Sequence, residues 1–236
     1  MIKLCINIAT AMKDYLQQKV NITLDESMRQ KLDFYCCFLL QENEKYNLTA
    51  ITDVNEVWLK HFADSILGSV AIPPNSSVCD VGSGAGFPSI PLKIARQDID
   101  ITLVDSLNKR INFTQTLCGN LGINAHFYHD RAEDFAKAHC EQYDVATARA
   151  VAPLNILLEY TAQIVKIGGI VVAYKTDLSE IDSAVNASNT LGLKFEKHYD
   201  FTLPDGSKRA ILVYRKIKST PKQYPRGQNK PRKNPL

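Results

Sequence analysis

Seven short runs rich in β-branched and aromatic residues follow one another through residues 77–216, and what lies between them constrains the architecture. "SVCDV" (77–81), "DITLVD" (100–105), "AHFYH" (125–129), "YDVATA" (143–148) and "GIVVAYK" (169–175) are separated by "FPSIPLKIAR", "SLNKRINFTQTLCGNLG", "RAEDFAKAH" and "APLNILLEYTAQIV", all helix-like. Strands this continuously apolar, alternating with helices, form a parallel sheet covered on both faces. A further helical stretch, "DLSEIDSAVNASNTLG", leads to "LKFEKHYDFTL" and "KRAILVYRK", which have only the turn "PDGS" between them. Those two strands must pair as an antiparallel hairpin at one edge. The expected fold is α/β and Rossmann-like, with five parallel strands plus a terminal hairpin.

Before the alternation the chain reads as helical. Met28, Leu32, Tyr35, Cys36, Leu39 and Leu40 recur at helical spacing, as do Val54, Val57, Trp58, Phe62, Ile66 and Leu67, and Pro73–Pro74 closes the section. Three parts are expected: a helical cap over 1–72, the α/β domain over 73–215 and a basic, proline-rich tail over 216–236. No apolar run approaches the ~20 residues that span a bilayer. Asp14 and the lack of a small-residue cleavage site argue against a signal peptide. The six cysteines show neither a CxxC pair nor zinc spacing, so they read as reduced thiols in a cytoplasmic protein with no metal site.

Charge is divided along the chain. All 25 acidic residues lie at or before Asp205, whereas ten of the 28 basic ones come after it. Four prolines interleave with these charges, which predicts an extended segment without a core of its own. Such a tail suits a polyanion; the alternative is a solvated appendage kept for solubility.

The stretch "VCDVGSGAGFPSIPL" carries Gly82, Gly84 and Gly86 directly after the first strand. In open α/β sheets the ligand sits beyond the carboxyl ends of the strands, with the glycines in the first strand–helix turn. A dinucleotide fingerprint would place its third glycine where Phe87 stands. The spacing D-x-G-x-G-x-G instead favours S-adenosylmethionine over a nicotinamide cofactor. Asp105 ends the second strand, where a carboxylate can accept both ribose hydroxyls. A plain glycine turn with a helix-capping aspartate is the competing account.

From Tyr46 onward the chain resembles the bacterial ribosomal RNA small-subunit methyltransferase G family, once called glucose-inhibited division protein B. The matching stretches are "YNLTAI", "KHFADSI", "DVGSGAGFPSIPLKI", "LVDSLNKRINF", "RAEDF", "ARAVAPL", "AYK", "KRAILVYRK" and "YPRGQNKPRKNPL". The resemblance implies a helical cap on a class I methyltransferase domain that methylates guanine N7 in 16S ribosomal RNA. It implies donor contacts from Gly82, Gly84, Phe87, Ala132, Glu133 and Arg149, the last also assigned to catalysis. Taken alone, Glu133 could equally complement a helix dipole, and Arg149 could form a salt bridge between elements. Lys60, His61, Lys175 and Arg209 are the expected RNA-side residues, with Asp64 and Ser65 lining the same entrance. Lys60 and Thr176 stand where the family usually has Arg and often Gly.

The chemistry fits what the chain lacks. There is no Asn/Asp-Pro-Pro-aromatic loop for an adenine amine and no Pro-Cys pair for cytosine C5. Guanine N7 carries a lone pair and no proton, so neither a base nor a covalent nucleophile is needed, and catalysis reduces to positioning. An arginine in the reactive pose cannot make its usual bidentate bond to O6 and N7. The expected partner is 16S ribosomal RNA or a small-subunit particle, bound by a monomer with no membrane association. Deleting residues 219–236 is expected to weaken RNA binding and to spare fold and donor binding. The rival readings are a small-molecule methyltransferase and a non-catalytic ribosome-assembly factor.

Overall fold

A computed structural model describes residues 2–236, with side chains from residue 11 onward. The first helices are α1 (Ile2–Val20) and α2 (Glu26–Tyr46). Asp25 caps α2 by accepting from the Met28 amide, and Asn47 ends it in the left-handed region at φ 49°. The second apolar stretch, read as one regular helix, has a composite form. A turn of α3 (Val54–Glu56) passes into a π-helical segment, Val57–Ala63, then α4 (Asp64–Leu67) and a 3₁₀ turn, Gly68–Val70. The wider turn keeps the apolar residues inward: Val57 and Phe62, five apart, are both buried.

The α/β part follows the expected alternation. Its elements are β1 (Ser77–Val81), α5 (Ser89–Ala95), β2 (Asp100–Asp105), α6 (Asn108–Leu121), β3 (His126–His129), α7 (Ala132–Ala138), β4 (Tyr143–Arg149), α8 (Leu154–Thr161), β5 (Val165–Lys175), α9 (Val185–Leu191), β6 (Leu193–Thr202) and β7 (Lys208–Lys216). They build one seven-stranded sheet in the order β3-β2-β1-β4-β5-β7-β6. Strands β1 to β5 run parallel, while β7 is antiparallel to both neighbours, with Ala173 opposite Leu212 and Phe195 opposite Tyr214. The strand order reverses between β1 and β4, and a crevice opens beyond their carboxyl ends.

Alternation along the strands divides the interior. On β5, Ile170, Val172 and Tyr174 enter one apolar cluster and Val171 and Ala173 the other. The first cluster runs without a break from Met12, Leu32, Tyr35, Trp58 and Phe62 of the N-terminal helices to Val78, Ile101 and Ile211 of the sheet. The second joins Phe135, Leu157, Leu158, Ala187 and Tyr214. The N-terminal helices thus pack on one face of the sheet and share its core.

The basic tail differs from the extended segment expected of it. It has no core of its own, but Tyr224 is buried in the second cluster. Arg226 forms a bidentate pair with Glu159, which is 1% exposed, and the Lys216 ammonium donates to the Ala162 carbonyl at 2.9 Å. A short helix, α10 (Lys230–Lys233), follows, with Pro231 buried. The segment lies along α8 because the charges that composition assigned to solvent find carboxylates and carbonyls there.

Candidate active site: two cavities meeting at Ala150

A cavity of about 300 Å³ opens at the crevice. Gly82, Asp105, Ala132 and Glu133 line it together, as expected, with Asp130, Val151, Tyr160, Asn229 and Arg232 beside them. Gly82 and Gly84 hold φ of 76° and 57°, which explains glycine at both positions. Gly82 also needs its small size, since a Cβ there would lie 2.7 Å from Val151 Cγ2. At Gly84 nothing stands within 4 Å of a Cβ position, so the loop leaves open space beside the cavity. Asp105 is 3% exposed; its carboxylate accepts the Gly84 and Leu107 amides, each at 2.9 Å, and lies 3.3 Å from Arg110.

Asp105 therefore shapes the glycine loop and, with three donors already on its oxygens, keeps one lone pair on Oδ1 for a ligand hydroxyl. The donor set fits S-adenosylmethionine: a carboxylate for the ribose, a glycine cradle with open space, and the Asp130–Glu133 turn. We expect Asp105→Ala to weaken donor binding by about 1.5–3 kcal/mol, the value of a charge-assisted hydrogen bond. Calorimetry on the folded variant checks this, and unchanged affinity would remove Asp105 from the site.

Three other expected donor contacts lie elsewhere. Gly84 is in the loop but only adjoins the cavity, as above. Phe87 is 7% exposed and stacks on Tyr35 (centroids 5.3 Å apart) and His61 (4.4 Å). Arg149 lies over the Phe87 ring, 4.9 Å from its centroid, and faces a second cavity.

That second cavity, about 420 Å³, brings together Lys60, His61, Asp64, Arg149, Tyr174, Lys175 and Arg209. All four expected RNA-side residues are among them; Ser65 is fully buried and donates to the His61 carbonyl instead. Arg149 donates to the Lys60 carbonyl (2.9 Å) and Asp64 Oδ2 (2.8 Å) and meets His61 Nδ1 at 3.1 Å. Both the helical wall and the end of β4 are thus joined through one guanidinium, the salt bridge that had stood as the alternative for Arg149. Arg209 Nε lies 3.1 Å from the other Asp64 oxygen. Lys175 is held by Glu180 and the Ala152 carbonyl, which fixes the loop after β4. Lys60 pairs with Glu56 across one helical turn, and Thr176 hydrogen-bonds Asp177 in an exposed turn.

The hydrogen bonds also fix the His61 tautomer. Nδ1 must accept from Arg149, so Nε2 carries the proton and donates to Thr49 Oγ1 at 2.8 Å. Burial and the Arg149 charge push the His61 pKa down to about 3, keeping the ring neutral. Asp80, at the end of β1, moves oppositely. Burial raises its carboxyl to about 7 against the bonds from Ser89 and the charge of Arg149.

These shifts oppose one another. A histidine with a lowered folded pKa penalises the fold below pH 6.5, where only the unfolded chain gains a proton, so its contribution to stability rises with pH from about 3 to 6.5. An aspartate with a raised folded pKa loses stability as pH climbs from about 4 to 7. Melting temperatures should therefore show little slope between pH 4 and 6.5 from this pair. Asp80→Asn should expose a rising slope and His61→Gln a falling one. Parallel pH profiles for wild type and both variants would refute the shifts.

Three residues of the first cavity had no expected role. Tyr160 carries no motif. Asn229 and Arg232 lie in the stretch "YPRGQNKPRKNPL" that carries the resemblance, but no site role was expected of either, and Arg232 was counted only among the charges of a basic run.

Among the described residues no cluster suits a metal ion, and no helix is long and apolar enough to cross a membrane. Solved structures share the fold: ribosomal protein L11 methylase from Lactobacillus delbrueckii subsp. bulgaricus (TM-score 0.52, 16% identity, 66% of this chain and 79% of that one), and M. jannaschii TYW2 in complex with AdoMet (0.54, 13%, 65% and 75%). This is the class I methyltransferase fold expected above. Over nearly full length the chain is 44% identical to the ribosomal RNA small subunit methyltransferase G of Streptococcus gordonii, covering 94% of this chain and 97% of the relative. It is 46% identical to that of Streptococcus pneumoniae serotype 19F, covering 92% and 94%. The profile described as rRNA small subunit methyltransferase G matches residues 28–208, and with the crevice, glycine loop and strand-tip aspartate in place, the chain belongs to that family.

Proposed function

We propose that this methyltransferase modifies N7 of one guanine in 16S ribosomal RNA, with S-adenosyl-L-methionine in the first cavity and the base in the second. The observation that carries the reading is that the two cavities share Ala150, the residue directly after Arg149. A methyl group leaving one cavity there enters the other. The donor's sulfonium supplies an activated methyl group.

The protein's own residues hold the partners. Asp105 and the glycine loop fix the ribose and the methionine part, and Ala132 and Glu133 meet the adenine. Lys60, Arg149, Lys175 and Arg209 outnumber Asp64 and Glu180 around the second cavity, which favours a phosphate-bearing acceptor. Arg149 is already occupied by Asp64, His61 and a carbonyl, so it orients the wall of the base site and leaves N7 free. His61, neutral and donating to Thr49, takes no proton, as N7 methylation requires. The protein works as a cytoplasmic monomer on free RNA or the small-subunit particle, and the three parts 1–72, 73–215 and 216–236 serve as cap, catalytic domain and basic strap.

The test is methyl transfer from isotopically labelled donor to small-subunit RNA from a strain lacking the enzyme, followed by digestion to nucleosides. Label is expected only in 7-methylguanosine at one position. Label in another nucleoside, or none in any RNA or particle, refutes the proposal.

A further inference from the structure

We propose that Arg232, from the basic segment after the sheet, binds the carboxylate of the methionine part of the donor. The inference rests on the reading of the first cavity as the donor site.

The charges of that cavity lead to it. Three guanidinium groups line it: Arg110, Arg131 and Arg232. Arg110 lies 3.3 Å from the Asp105 carboxylate and Arg131 3.8 Å from that of Glu133. Arg232 pairs with no carboxylate among the described residues; it donates to the Val151 carbonyl at 2.9 Å and lies near the Tyr160 hydroxyl. It is therefore the cation of this cavity that the protein leaves without a counter-charge. The donor offers one anionic group, its carboxylate, beside a sulfonium and an ammonium. A planar guanidinium fork matches a carboxylate bidentately.

Position agrees with charge. Val151, which holds Arg232, packs against Gly82 of the glycine loop closely enough to exclude a Cβ. Arg232 thus enters where the glycine loop and the end of β4 meet, the end of the cavity next to Ala150 and the acceptor side. Asp105 and Glu133 mark the ribose and adenine parts.

The segment is also held in place. Arg226 chelates the buried Glu159, Pro231 is buried, and Asn155 donates to the Leu236 carbonyl at 3.2 Å. Such anchoring reduces the ordering cost when the ligand arrives. A segment whose composition suggested only polyanion binding therefore completes the donor site. Deleting residues 219–236 should thus weaken donor binding and stability as well, against the expectation drawn from composition.

The experiment compares two ligands on the full-length protein by calorimetry without RNA. S-adenosylhomocysteine carries the amino-acid part, and 5′-methylthioadenosine lacks it. Arg232→Ala should weaken S-adenosylhomocysteine binding about tenfold or more and leave 5′-methylthioadenosine within twofold. Arg232→Lys should fall between, since it keeps the charge without the fork. The Lys230→Ala/Lys233→Ala pair, which removes two exposed charges of the same segment, should leave both affinities within twofold. If Asp105→Ala changes neither affinity, the donor-site reading itself fails. If Asp105→Ala weakens both ligands but Arg232→Ala weakens neither, or both equally, Arg232 does not bind the carboxylate.

Discussion

Arg149→Ala should abolish measurable methyl transfer and lower stability by about 3 kcal/mol. Its side chain is 13% exposed and that of Asp64 7%, so the pair is largely desolvated. Removing one partner of a buried pair costs about 3–5 kcal/mol because the other charge is stranded. The lower end applies, since Arg209 stays 3.1 Å from the second Asp64 oxygen. The same change frees the Lys60 carbonyl and His61 Nδ1, so the helical wall loses its tie to β4. Arg149→Lys retains charge but cannot reach three acceptors at once; it should recover part of the stability and little of the rate. Denaturant unfolding and single-turnover kinetics on small-subunit RNA separate the two effects. The double variant Arg149→Met/Asp64→Leu removes both charges of this pair but leaves the Arg209 guanidinium, 16% exposed, without its carboxylate, so it should restore part of the stability without restoring turnover. If the double variant methylates at the wild-type rate, Arg149 is only a brace and the assignment to the reaction falls.

How much of this was legible in the sequence depends on how far apart the interacting residues are. β1, β2 and β7 fall on the expected boundaries because a strand covered on both faces, parallel or antiparallel, has a continuous apolar centre that stops at charged or turn-forming residues. Gly82 and Asp105 were readable because local chain geometry brings adjacent strand tips together whenever a βαβ unit forms. The assembly around Arg149 was not. Its partners lie 85 to 89 residues away, and an arginine among small residues says only that some counter-charge exists. The π-helical turn escaped notice because Val57, Phe62 and Ile66 satisfy a regular helical pattern almost as well. The tail misled most. Its composition describes a solvated chain, yet the carboxylate that anchors it, Glu159, sits inside an apolar helix whose sequence gives no sign of waiting for a cation.

Gly68→Ala should destabilise the protein by about 3 kcal/mol and disable the acceptor cavity with it. Backbone preference alone predicts the opposite: Gly68 has φ −63° and ψ −15°, where alanine is favoured by about 0.5–1 kcal/mol. Packing decides the sign. A Cβ at this position would overlap the hydroxyl oxygen and Cζ of Tyr174. Tyr174 is 5% exposed, and its hydroxyl donates to the Ser65 carbonyl at 2.7 Å, so the ring cannot swing away without losing that bond. Over-packing of this kind costs typically 1–3 kcal/mol and occasionally more; the upper end is expected because the collision is with a bonded, buried ring. Tyr174 also lines the acceptor cavity, so relief by shifting either the ring or the helix bearing His61 and Asp64 deforms the base site. A Tyr174→Leu partner change separates this account from a general intolerance of substitution. With the ring gone the added methyl has room, so Gly68→Ala/Tyr174→Leu should be at least 1 kcal/mol more stable than the sum of the single changes allows. Additive effects in denaturant unfolding would show that the contact between this helix and β5 does not set the requirement for glycine.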